Sequence, residues 1–155
     1  MADRLDQLAA WAGPLLAKLA PAARRAAMRE VATLLRQRQA ARIKAQQNPD
    51  GTPYEARRPR AQLQAKAGSI RREMFARMRR PATLRKSSTD DAAVVFIAGG
   101  AASTARVHQY GLRDKVDWRM AESPMVRYAR RELLGLSPDD LDAVGQQLQR
   151  HYNPT

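Results

Sequence analysis

From Ala22 to Gln47 nothing in the chain breaks a helix. Alanine and arginine, both good helix formers, dominate this stretch. Ala27, Val31, Leu34 and Leu35 recur at helical spacing and form an apolar stripe. Arg24, Arg25, Arg36 and Arg38 lie largely off it. Pro21 fits the first turn, where its missing N–H is not needed. The pattern predicts one helix of about 25 residues, roughly 37 Å long at 1.5 Å per residue.

The flanking segments are punctuated more finely. Residues 3–12 read as a short amphipathic helix with Leu5, Leu8 and Ala12 on one face, and Pro14 opens a continuation through Leu19. Asn48-Pro49-Asp50-Gly51-Thr52-Pro53 ends the long helix in a tight turn. Residues 54–60 read as extended. From Arg60 to Arg80 the positions Leu63, Ala67, Ile70, Met74 and Met78 keep helical spacing, with Gly68 weakening the middle. Ala82 to Lys86 and Ala93 to Ile97 read as a hairpin, the second strand buried by its β-branched and aromatic content. Residues 102–110 favour helix, 111–124 form an irregular arm carrying Trp118, and Met125 to Tyr128 read as a strand. Ser137-Pro138-Asp139-Asp140 opens a last helix over about 138–151, with a serine cap, a proline at the first position and acids in the first turn. Helices, then strands, then a helix predict an α+β fold with a small antiparallel sheet. The expected organisation is a single domain over residues 1–155: helical over 1–80, sheet and arm over 82–136, helix over 138–151.

The chain carries 28 Lys and Arg against 15 Asp and Glu, a net +13. The charge is uneven. Residues 1–20 are neutral, 21–46 carry +6, 47–89 carry +8 and 90–155 carry −1. A basic stretch of this kind attracts polyanions, whether nucleic acid, an acidic membrane surface or an acidic protein. The bland alternative is a solvated helix face. Arginine outnumbers lysine 23 to 5, which coding composition alone can produce.

Other features exclude function classes. There is no cysteine, hence no disulfide scaffold, zinc ribbon, iron–sulfur site or cysteine nucleophile. His108 and His151 are the only histidines, too few for an ordinary catalytic metal site. No cofactor is expected. Asp3, Asp6 and Gly13-Pro14 argue against a signal peptide, and no stretch reaches the ~20 apolar residues of a membrane span. The expectation is a soluble protein made in the cytoplasm and not held in a membrane. Ala98-Gly99-Gly100 lacks the spacing of a phosphate loop. His108 is the one candidate base, with no nucleophile at a telling distance in sequence. The chain is therefore expected not to be an enzyme. With eight aromatic residues and no aromatic strand pattern, any nucleic-acid contact would go to the backbone and read no base.

Four blocks taken together resemble a known family. They are Leu34-Leu35-Arg36 running on to Arg42-Ile43 and Gln46 to Tyr54; Ile70-Arg71-Arg72 with Met74-Phe75; Val107-His108-Gln109-Tyr110-Gly111-Leu112-Arg113-Asp114; and Val126-Arg127-Tyr128 to Arg131-Glu132-Leu133-Leu134-Gly135-Leu136-Ser137. In this order they resemble the phage virion morphogenesis family, the tail completion proteins of contractile-tailed, Mu-like bacteriophages. The resemblance runs from about residue 5 to 150. Similar proteins often have proline after the tyrosine, where this chain has Ala129.

The resemblance implies a structural virion protein that completes or terminates the tail and joins it to the neck. It also implies a homo-oligomeric ring, usually a hexamer, with tail tube and sheath proteins and neck or head-completion proteins as partners. Genomic DNA in the lumen is a further nonspecific contact. The implied places are the virion tail and neck, and the host bacterial cytoplasm during assembly. Candidate partner- or DNA-facing residues are Arg57, Arg58, Arg60, Arg71, Arg72, Arg77, Arg79 and Arg80. The candidate interface segment carries His108, Gln109, Tyr110, Gly111, Arg113 and Trp118. Gly111 and Gly135 are read as positive-φ turn positions. The alternative function is a nonspecific basic DNA-binding protein.

Overall fold

The computed structural model describes residues 2–57 and 73–152. Its elements run α1 (Ala2–Lys18), α2 (Pro21–Ala45), β1 (Leu84–Ser88), β2 (Ala93–Ile97), α3 (Ala101–Tyr110), β3 (Arg113–Lys115), β4 (Met125–Arg127) and α4 (Pro138–Tyr152). This is an α+β fold. The strands form two separate two-stranded antiparallel sheets, β1–β2 and β3–β4, where a single small sheet was expected.

α2 is the predicted rod, 25 residues beginning at Pro21. It ends because Gln46 turns into the left-handed region at φ 59°, its N–H closing on the carbonyls of Arg42 and Ile43. α1 runs as one helix through Pro14, fusing the short helix over 3–12 with its expected continuation. Leu8, Ala12 and Leu16 hold its inner face on the core, and that packing outweighs the lost N–H.

Two apolar clusters are strung along α2. The first joins Ala12 of α1, Ala27, Met28 and Val31 of α2, and Val144 and Leu148 of α4. The second joins Ile43, Tyr54, Met78, Ala105 and Leu133, with Met74, Phe75 and Ile97 against it. The β1–β2 hairpin spans both, since Ala93 packs on the first cluster and Ile97 on the second. Its register pairs Leu84 with Ile97 and Ser88 with Ala93. β2 is not the buried strand its composition suggests. Val94 and Phe96 face outward, because only one face of this hairpin meets α2.

The helical reading of 60–80 fails where it can be checked. Residues 60–72 lie outside the described residues, and 74–83 form successive turns. Phe75 sits at φ 62°, a conformation no helix accommodates. The reason is tertiary. Gln46 donates from Nε2 to the Met74 carbonyl at 3.0 Å and accepts the Met74 N–H at 2.9 Å, which pulls the segment onto the end of α2.

α4 opens as predicted. The Asp140 N–H donates to Ser137 Oγ at 3.1 Å, and Asp140 Oδ2 accepts the Ser137 N–H at 2.9 Å. Both members of this reciprocal cap are satisfied by the other.

Candidate functional site

The basic residues of α2 are not a free cationic face. Arg25 pairs with Asp90 at 3.1 Å and Arg24 with Asp91 at 3.6 Å, tying the hairpin turn to the helix. Arg36 donates to the Leu84 carbonyl at 2.7 Å. Arg38 and Arg42 both meet the buried Asp140, Arg42 at 3.2 Å. Burial on its own would raise the Asp140 carboxyl, but the Ser137 amide, Arg38 and Arg42 together hold it below the ordinary carboxylate range. Three acids from the mildly negative stretch 90–155 thus offset part of the helix charge. A cleft of about 440 Å³ lies beside this group, lined by Arg38, Arg42, Asn48, Asp50, Asp139 and neighbours. Its charges are mixed.

Of the eight candidate arginines, Arg58, Arg60, Arg71 and Arg72 lie outside the described residues. Arg57, Arg77 and Arg80 are exposed. Arg79 pairs with Glu73 at 2.8 Å. Arg79 and Arg80 border a second groove with Lys44, floored by Ala40, Ala41 and Ala76.

The segment from His108 onward divides by direction. His108 points inward, its ring stacked edge-on between Phe75 at 4.9 Å and Tyr128 at 5.1 Å. Phe75 in turn meets Tyr54. His108 Nδ1 lies 3.1 Å from Arg131 Nη1. Burial, and then the charge of Arg131, push the imidazole pKa below its usual value, so the neutral ring accepts this bond. Arg131 is itself buried, and donates to the carbonyls of Glu55 at 2.7 Å and Ala56 at 3.1 Å. Gln109 also points inward. It donates to the Leu134 carbonyl at 2.7 Å and accepts the Leu134 N–H at 3.0 Å. Gln39 does the same to Gly135, at 2.7 and 3.3 Å, and Asn48 Oδ1 accepts the Glu132 N–H at 2.8 Å. Side-chain amides here stand in for the sheet partner that residues 131–135 lack.

Gly111 caps α3 at φ 63°, as expected, and a Cβ on it would lie 3.2 Å from Arg130. Gly135 needs no positive φ; its requirement is space, because Pro49 fills the place of a side chain.

From Tyr110 to Met125 the large apolar side chains turn outward. Tyr110 is 62% exposed, Trp118 80%, Met120 60% and Met125 51%, with Leu112 beside them. Arg113 is exposed on β3. Five of the ten exposed large apolar residues among the described ones fall within 110–125. The tip is internally bonded. The Asp117 N–H donates to Ser123 Oγ at 2.8 Å, Asp117 Oδ1 accepts the Arg119 N–H at 3.0 Å, and the Val116 N–H reaches the Pro124 carbonyl. Trp118 is therefore held outward by a built loop, with the Arg119 guanidinium 5.4 Å from its ring centre.

Gln39, Gln46 and Arg131 escaped the sequence reading as site residues, whereas Asn48 opens the candidate loop over 48–60. Gln39 alone left a signal, since it falls in the row Ala27, Val31, Leu35, Ile43 at four-residue steps. The others bond to backbone far away in sequence. Among the described residues no group of His, Asp and Glu is placed to hold a metal ion, and no helix is long and apolar enough to cross a membrane.

The chain thus combines a partly neutralised helical layer, an amide-clamped junction and an outward apolar arm. Its residues 3–153 match the family model for phage virion morphogenesis, and the chain belongs to that family. It is 33% identical over 138 residues to the tail completion protein S of Escherichia phage P2, covering 88% of this chain and 89% of that protein. No solved structure matches it.

Proposed function

We propose that this chain is a structural virion protein that completes the phage tail, folded as one domain over residues 1–155. The likeness to the tail completion protein of phage P2, which covers nearly nine-tenths of both chains, carries this reading. In this proposal the protein acts by assembly and catalyses no reaction. Copies close into a ring, six in number by analogy with related terminators, at the head-proximal end of the tail tube. The ring stops tube growth and offers the neck or head-completion proteins a docking face, with tube and sheath proteins on its other side. It assembles in the host cytoplasm and remains in the virion.

Tyr110, Arg113 and Trp118 form the partner-facing arm, while His108, Gln109 and Gly111 hold that arm from beneath. The arginines at 57, 58, 60, 71, 72, 77, 79 and 80 face an acidic neighbour or the DNA in the lumen. The exposed state of Arg57, Arg77 and Arg80 supports this, while several α2 arginines are engaged with Asp90, Asp91 and Asp140.

A phage lacking the gene tests the proposal. Its tails should be incomplete and unable to join heads, and added purified protein should restore joining and appear as a ring at one tail end by electron microscopy. Protein that stays monomeric and never associates with tails overturns it.

A further inference from the structure

The β3–β4 ribbon carries an unresolved conflict on one face. Residues directly opposite in an antiparallel pair share a face. Arg113 is paired with Arg127 and Lys115 with Met125, so three cations and one methionine project together. Two arginines directly across a ladder repel each other. Among the described residues neither has an ion-pair partner. Apart from the half-buried Val126, the six residues of the two strands are all exposed. A two-stranded ribbon of this length is marginal unless something covers it. The tip adds Trp118, and the whole surface is bulky, apolar and positive.

A complementary surface exists on the same chain. The outer face of α1, turned away from Leu8, Ala12 and Leu16, presents Asp3, Asp6, Ala10 and Gly13. It is acidic and small where the ribbon is basic and large. A Cβ on Gly13 would meet nothing within 4 Å, so this face stands open. α1 belongs to the first apolar cluster, whereas the ribbon leaves from the end of α3, which packs in the second. Among the described residues no hydrogen bond or ion pair joins α1 to the ribbon.

We propose that the ribbon of one copy docks on the outer face of α1 of a second copy. Arg113 and Arg127 then meet Asp3 and Asp6, and Trp118 and Met125 lie over Ala10 and Gly13. Two different surfaces meet, so the contact is heterologous and repeats around a closed ring. This inference rests on the ring reading above and supplies its contact.

The cysteine-free sequence makes the test clean. The full chain carrying Ala10→Cys together with Met125→Cys is oxidised, free and bound to tails, and run on a non-reducing gel. A ladder beyond the dimer is expected, with each single variant giving no more than a dimer. In parallel, Arg113→Glu with Arg127→Glu should weaken self-association at least ~10-fold by sedimentation, and adding Asp3→Arg with Asp6→Arg should restore it. A wild-type ring with no ladder and no effect of charge reversal overturns the contact while leaving the ring reading intact. Loss of tail or DNA binding by the ribbon variant, with self-association unchanged, also overturns it in favour of that other occupant. Wild-type protein that neither self-associates nor joins tails overturns the ring reading itself.

Discussion

A Cβ placed on Gly135 would lie 2.4 Å from Pro49 Cγ. The two residues are far apart in sequence, yet Pro49 occupies the space where a side chain would go. The glycine is also gripped by Gln39 at both its N–H and its carbonyl, so it has no freedom to retreat. Gly135→Ala should therefore destabilise the protein by roughly 1–3 kcal/mol, as overpacking against a rigid ring does. Urea denaturation checks this, and an unchanged midpoint would contradict the close fit.

Gln109 tests the amide junction in a different way. Removing its side chain leaves the Leu134 N–H and carbonyl without their partner. Gln109→Ala should cost about 2–3 kcal/mol, the scale for stranding part-buried backbone groups. Gln109→Glu should restore the acceptor but not the donor, and its carboxylate would face the Leu134 carbonyl. It should be no more stable than the alanine variant in the same urea titration at neutral pH.

Acid should act on two groups in sequence. The pKa of His108 is lowered by folding from its ordinary 6.5, so between that value and the folded one the unfolded chain binds more protons. Stability then falls as pH drops from about 6.5. Asp140 is also lowered, from 3.8. Its contribution is present above that value and is lost as pH falls toward and through the folded pKa. Thermal melts across pH should show the first loss in wild type, and a flatter profile near pH 6 in His108→Gln. The same slope in both would dissociate His108 from the effect.

Trp118→Ala separates fold from assembly. Its side chain is almost wholly outside, so stability should change by no more than about 0.5 kcal/mol. Tail completion by the variant should nevertheless collapse in a complementation assay. A variant as stable and as active as wild type would remove the arm from function.

Much of the frame was legible because its signals are local. Pro21 and the unbroken run to Gln47 mark α2, Ser137-Pro138 marks α4, and the β-branched run 93–97 marks a strand. The turns at 74–83 were not, because Met74 and Met78 keep helical spacing while Gln46, almost thirty residues earlier, dictates the backbone there. For the same reason the tip of the candidate segment was readable and its base was not. Tyr110 and Trp118 stand out as large apolar residues in a polar stretch. The inward roles of His108 and Gln109 depend on Arg131 and Leu134, which only the folded chain brings alongside.

The uninterrupted α2 also fixes a stride. Ala27 in one apolar cluster and Ile43 in the other are about 24 Å apart along the axis at 1.5 Å per residue. Inserting one residue between them would lengthen the helix by only that amount but swing everything beyond it by about 100°. The arm and the outer face of α1 would then point in new relative directions, which would undo the proposed contact between copies. A length change within the rod is thus far costlier than its ~1.5 Å suggests, because the helix sets both the spacing and the direction of the parts it carries.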